Sequence, residues 1–282
     1  MGRLGGQEGE LVAVMQLPSE NCVTEHTAFV AGRLAHHLPP EFVAAVVVTG
    51  DLAATFGNHA ENPDTGSLEG ATGCLTTPTS DGILVAVHVD LLPPSDPAVL
   101  DFLLLHEAQH VMSLATGEDV TRSFQRRNLS LQTVEGFWTR LAGSVIDEFR
   151  AERGALLHAD VAAAEGTRLR YQHAVTRLTE AESPTDYSRE IPAMFKACGY
   201  MAGALRAVND IVLPATSEDT WLIDWIHELA DILVDLPAPN EELTSEQADH
   251  LLDAAATHLA HGLAQHGLQL VLEGERLLLT PA

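Results

Sequence analysis

Apolar positions along the chain change their period several times, and each change predicts an element. Asn21 to His37 has the amphipathic pattern of a helix, which Leu38-Pro39-Pro40 ends. Within Glu41 to Phe56 the β-branched run Val46-Val47-Val48-Thr49 predicts a buried strand. Gly57 to Gly70 is polar, with Asn-Pro and Asp-Thr-Gly turn signals, and predicts a loop. Ala71–Thr77 and Ile83–Leu92 predict two strands joined by the turn Pro78–Gly82. In the second strand Ile83, Val85, Val87 and Val89 alternate, so the pair reads as a hairpin. After Pro93-Pro94, Asp96 suits a helix cap and Pro97 the first helical position. That helix runs to about Ala115, with Gly117 as its stop.

Residues 118–130 are polar and carry Arg122, Arg126 and Arg127, the pattern of a solvated basic loop. Long helices are predicted from Leu131 to Ala164 and from Glu190 to Ile211, with a break at Leu213-Pro214. Trp221 to Leu236 predicts a strongly amphipathic helix. Its stripe of Trp221, Leu222, Trp225, Ile226 and Leu229 suits a core face or a homo-oligomer contact. Thr244 to Gln247 opens a helix to about His266, and Leu268–Thr280 reads as two short strands around Glu273-Gly274. On that helix His258 and His261, with His250 and His266 nearby, read as surface histidines. The order predicts an α+β fold, a small antiparallel sheet with helices on one face. Residues 1–20 are expected to be a flexible N-terminus, 21–185 the main domain, and 186–282 a helical C-terminal region of the same or a separate domain.

Charge narrows the function classes. Forty acidic residues against 15 basic ones give a formal net charge of −25, which repels phosphate backbones and anionic lipid. Neither nucleic acid nor a membrane is an expected partner. No apolar run reaches the roughly 18 residues a spanning helix needs, and Met1–Gln16 lacks a signal-peptide pattern. Cys22, Cys74 and Cys198 are far apart and form no Cys-x-x-Cys pair, which fits a reducing compartment, so the cytoplasm is the expected location.

The candidate chemistry lies in the first long helix, at His106-Glu107-Ala108-Gln109-His110. Histidines four residues apart project from one helix face and can share one tetrahedral zinc ion. Glu107 lies about 100° round the helix, beside the metal position, where it can hold a water and take its proton. A catalytic zinc needs a third protein ligand. On the following helix Leu141, Val145, Glu148, Glu152 and Ala155 share one stripe, whereas Asp147 shares a solvated-looking stripe with Arg140, Ser144 and Arg150. Glu148 is therefore the candidate third ligand, and Glu152, one turn on, can accept a hydrogen bond from a ligating histidine.

A strand hairpin, an HExxH helix and the run Glu148-Phe149-Arg150-Ala151-Glu152 resemble the gluzincin branch of the zinc metallopeptidases. Glu152 stands where that pattern usually has Asp, and the resemblance covers about residues 70–160. It implies a zincin-like fold with one zinc ion per chain and peptide-bond hydrolysis by metal-activated water, with Glu107 as general base. It further implies a substrate added as a strand to the sheet edge beside the metal helix, here Gly73, Cys74, Leu75 and Thr76. Tyr171, His173, Tyr187 and Tyr200 are candidate oxyanion stabilisers, and the sequence does not choose among them. Two alternatives stand beside this reading: a zincin scaffold kept for binding or regulation without catalysis, and a different zinc-dependent amide hydrolase.

Overall fold

The computed structural model describes residues 13–14, 24–59, 73–92, 97–116, 120–130, 132–159, 161–180, 184–208, 220–265, 267–273 and 276–281. The chain forms two compact units, Met1–Thr116 and Gly117–Ala282. The fold is α+β and mainly helical.

In the first unit β1 (Ala13–Val14), β2 (Ala45–Thr49), β3 (Cys74–Thr79) and β4 (Gly82–His88) form one sheet in the order β1-β2-β4-β3. The β3–β4 hairpin forms as the alternation predicts, with Cys74 opposite Val87 and Thr76 opposite Val85. Gly82 leaves the turn at φ 135°, a conformation that favours glycine. The expectation of an antiparallel sheet is corrected: β2 runs parallel to both β1 and β4, so the sheet is mixed. The cause is legible in β2 itself, where Val46, Val47 and Val48 are all buried. An unbroken apolar run belongs to a strand covered on both faces, as parallel strands are.

Helices accordingly cover both faces, not one. α1 (Thr24–His37) and α3 (Pro97–Ala115) pack on one side, where Val30 and Leu34 meet Val46, Val48, Val85 and Val87 together with Leu100, Leu104, Ala108 and Val111. On the other side Val47, Leu84 and Ala86 pack with Leu52 of α2 (Leu52–His59). The sequence reading has no helix there. α2 is only eight residues long and is started by Asp51, whose carboxylate accepts from the Ala54 N–H at 2.9 Å. The remainder of the predicted loop, residues 60–70, lies outside the described residues, as do the Asp96 cap and the Gly117 stop.

The second unit holds α4 (Val120–Arg126), α5 (Val134–Leu156), α6 (Val161–Thr179), α7 (Pro184–Ala207), α8 (Thr220–Ile232), α9 (Ser245–Gln265) and the hairpin β5 (Leu268–Glu273)–β6 (Arg276–Pro281). Two expectations change. The stretch 118–130 contains a helix, α4, and two of its arginines are tied down: Arg126 pairs with Asp249 at 2.9 Å, and Arg127 with Asp253 at 2.8 Å. The single helix expected over 131–164 is instead α5 and α6. Thr133 starts α5 by accepting from the Gly136 N–H at 3.0 Å, and the helix closes at Leu157.

α5 and α7 run in the same direction, and their backbones touch. A Cβ on Gly199 would lie 2.6 Å from the Val145 carbonyl oxygen, and one on Gly203 2.6 Å from that of Phe149. Only glycine admits this approach, which puts successive turns of α7 against the stripe of Val145, Glu148 and Glu152. α8 and α9 are joined through Trp225, which stacks on His258 (ring centroids 4.7 Å apart, 11° between planes) and donates to the His258 carbonyl at 3.2 Å. His258 is therefore a packed residue, not a surface one. Trp225, Ile226 and Leu229 of the predicted stripe are buried in this core, and the side chains of Trp221 and Leu222 lie outside the described residues. Thr244 and Gln247 form a reciprocal cap on α9, with N–H to side-chain oxygen distances of 3.1 and 3.3 Å.

Because a backbone carbonyl cannot yield as a side chain can, Gly199→Ala or Gly203→Ala is expected to lower unfolding free energy by about 1–3 kcal/mol. Chemical denaturation of each single variant checks this. Burial holds the His258 imidazole below its usual pKa. The unfolded chain therefore takes up this proton first as pH falls below about 6.5, and stability drops with it. His258→Phe is expected to flatten the melting temperature between pH 7 and 5 relative to wild type.

Candidate metal centre

α3 owes its position to one stripe and its chemistry to another. Leu100, Leu104, Ala108 and Val111 are spaced by four, four and three residues and sit in the core. His106 and His110 lie off that stripe, one turn apart. Their Nε2 atoms are 3.1 Å from each other and the ring planes cross at 74°. Two imidazole nitrogens bound tetrahedrally to one zinc ion at 2.0–2.1 Å would be about 3.3 Å apart. The observed spacing fits that geometry without rearrangement.

Glu107 is 7% exposed and turns toward the hairpin, where the Thr76 hydroxyl donates to its Oε2 at 2.6 Å. Thr76 belongs to β3, the strand at the end of the sheet order, paired with β4. Among the described strands the predicted edge segment thus lies at the end of the sheet, and its first residue, Gly73, accepts from the His88 N–H at 2.7 Å. Thr76 ties that segment to the HExxH run through Glu107, a link the sequence reading did not make.

On α5 the predicted stripe is buried throughout, Glu148 and Glu152 included. Glu148 Oε1 lies 2.8 Å from Nζ of Lys196 on α7. Tyr200, one turn further along α7, hydrogen-bonds the same carboxylate. Burial and then the Glu148 charge push the Tyr200 phenol well above its usual pKa, so it is a neutral donor. Arg170 of α6 lies over the Tyr200 ring, 5.3 Å from its centroid. Glu152 accepts a hydrogen bond from Thr167 of α6. The stripe of Asp147 is corrected from the solvated reading: Arg150 is buried and donates to the Pro237, Ala238 and Glu241 carbonyls at 2.7–3.1 Å.

One ligand atom each from His106, His110 and Glu148 lie within 4.8 Å of one another, a His-His-Glu group that could hold a metal ion. Among the described residues no other cluster of this kind occurs. The chain matches no family model, no curated protein and no solved structure. The geometry of the group is therefore the ground for any functional reading.

The four oxyanion candidates part company. Tyr171 is buried in the α5–α9 core, His173 is exposed on α6, and the Tyr187 side chain lies outside the described residues. Tyr200 hydrogen-bonds Glu148 of the metal group. Sequence reasoning missed Lys196. Its signal was available: it lies four residues before Tyr200 on a helix, hence on the same face.

If the group binds metal, purified protein loaded with zinc and desalted holds about one ion per chain. His110→Ala and Glu148→Ala each lose it. Elemental analysis of wild type and both variants, with circular dichroism to check folding, is the measurement.

Proposed function

We propose that this chain is a zinc-dependent metallopeptidase with a zincin-like active site on α3. The observation that carries the reading is the His106–His110–Glu148 group, with Glu107 next to it and already held by a hydroxyl. When bound, zinc supplies Lewis acidity to water and to the scissile carbonyl.

The chain's own residues do the rest. His106 and His110 through Nε2, and Glu148 through a carboxylate oxygen, would hold the ion. Glu107 takes a proton from the attacking water and delivers it to the departing amine nitrogen. Thr76 fixes which carboxylate oxygen is engaged with protein, so the other is the base. The substrate is a peptide in extended form, added along β3, whose Thr76 brings that edge to Glu107. Tyr200 is the candidate donor to the developing oxyanion.

An acidic chain of net charge −25 favours neutral or basic peptides over nucleic acid. No described helix is long and apolar enough to cross a membrane, and work in the cytoplasm is part of the proposal.

The reading is tested with Glu107→Gln on a mixed-sequence peptide library, cleavage being scored by mass spectrometry. The variant is expected to keep its zinc and to lose about 10²–10⁴-fold in rate. Equal cleavage by the variant, or none by zinc-loaded wild type, would sink the peptidase reading while leaving the metal site standing.

A further inference from the structure

Of the 15 basic side chains, Lys196 is the only lysine. That lysine lies on Glu148: Nζ is 2.8 Å from Oε1, and the two side chains are 18% and 8% exposed. Other carboxylates of the second unit are held by arginine, as Glu190 is by Arg177 and Asp249 by Arg126. The two cations differ in kind. A guanidinium locks a carboxylate through a fork of donors, whereas an ammonium is a point charge on a flexible stem that can withdraw.

We propose that Lys196 is the resident counter-cation of Glu148 and sets how tightly the site holds metal. In the metal-free chain its ammonium neutralises a buried carboxylate that would otherwise be costly to keep charged. A divalent ion at His106, His110 and Glu148 claims the same carboxylate and repels the ammonium. Lys196 therefore stabilises the metal-free state and weakens the loaded one. Tyr200 carries no charge, so a bound cation does not repel it as it does the ammonium. The inference rests on the metal-site reading above and concerns affinity, not hydrolysis.

Zinc affinity is measured on metal-stripped full-length protein by competition with a chromophoric chelator, for wild type, Lys196→Gln and Lys196→Arg. Melting temperatures are taken with and without zinc. Lys196→Gln is expected to bind zinc about tenfold more tightly, to melt lower when stripped, and to gain more on loading. Lys196→Arg should bind no more tightly than wild type. Equal or weaker binding by Lys196→Gln, with the same loss of melting temperature in both states, would make the pair an ordinary structural contact and overturn the proposal. Folded protein that binds zinc in none of the three forms would instead overturn the metal site itself.

A measurement on wild type needs no variant. As the only lysine, Lys196 gives a single labelled side-chain amine with acetic anhydride, resolved from the N-terminal amine by peptide mapping, and zinc loading is expected to speed its acetylation. Labelling that is unchanged or slower with zinc overturns the displacement.

Discussion

The second unit depends on two helix backbones meeting at Gly199 and Gly203. A methyl group at either would sit 2.6 Å from a carbonyl oxygen of α5, well inside any contact a side chain can make. With the helices that close, α7 cannot slide against α5 without losing the fit. The residues between the glycines are then fixed opposite named residues of α5. Lys196 comes three residues before Gly199 and Tyr200 one after it, so both meet the turn that carries Glu148. The ion pair and the phenol hydrogen bond follow from the glycine contact, as does the burial of Glu152 beside Gly203.

Buried charge is the second constraint. Taking a carboxylate out of water costs several kcal/mol unless it is paired and hydrogen-bonded, and this unit buries Glu148, Glu152, Arg150 and Glu190. Each has a partner of its own. Glu190 has Arg177 at 2.7 Å, Glu152 has a hydroxyl, Glu148 has an ammonium and a phenol, and Arg150 has three backbone carbonyls. Arg150 differs in purpose from the others. It satisfies the carbonyls of the Pro237–Glu241 connection, which would otherwise be stranded beside a helix. It does the work of a cap for the turn between α8 and α9, and a sequence reader meeting it next to Asp147 sees only a surface charge.

What the sequence made legible was periodicity. The hairpin, α3 with its start at Pro97, and the stripe that singled out Glu148 over Asp147 all rest on side-chain spacing within one element, and all three are present. What it hid was pairing between elements. The apolar run of β2 marks a strand covered on both faces, but its partner β4 lies beyond α2, whose eight residues pass for loop. The division at Leu157 sits in a stretch whose composition stays helical on both sides. Of the site, the two histidines, Glu107 and Glu148 were readable because each is set by spacing. Lys196 was marked only by its helical spacing from Tyr200, and the bond of Thr76 to Glu107 was not readable, because it joins residues 31 apart in sequence. His258 was misread for the same reason: its partner, Trp225, is 33 residues away.

The two halves of the metal group are supported differently, and this decides how substitutions in them should be read. On α3 the packing stripe of Leu100, Leu104, Ala108 and Val111 is separate from the histidines, so a histidine can be truncated without touching the stripe that holds the helix to its sheet. On α5 no such separation exists. Glu148 shares its stripe with Val145 and Glu152, and its removal strands the Lys196 ammonium in a largely dry place. Loss of metal from a His110 variant therefore speaks most directly about coordination, since His110 is half-buried whereas His106 is buried. Loss of metal from a Glu148 variant carries a folding term as well, and Gln, which keeps the volume and can still accept from both Lys196 and Tyr200, separates the two where Ala cannot.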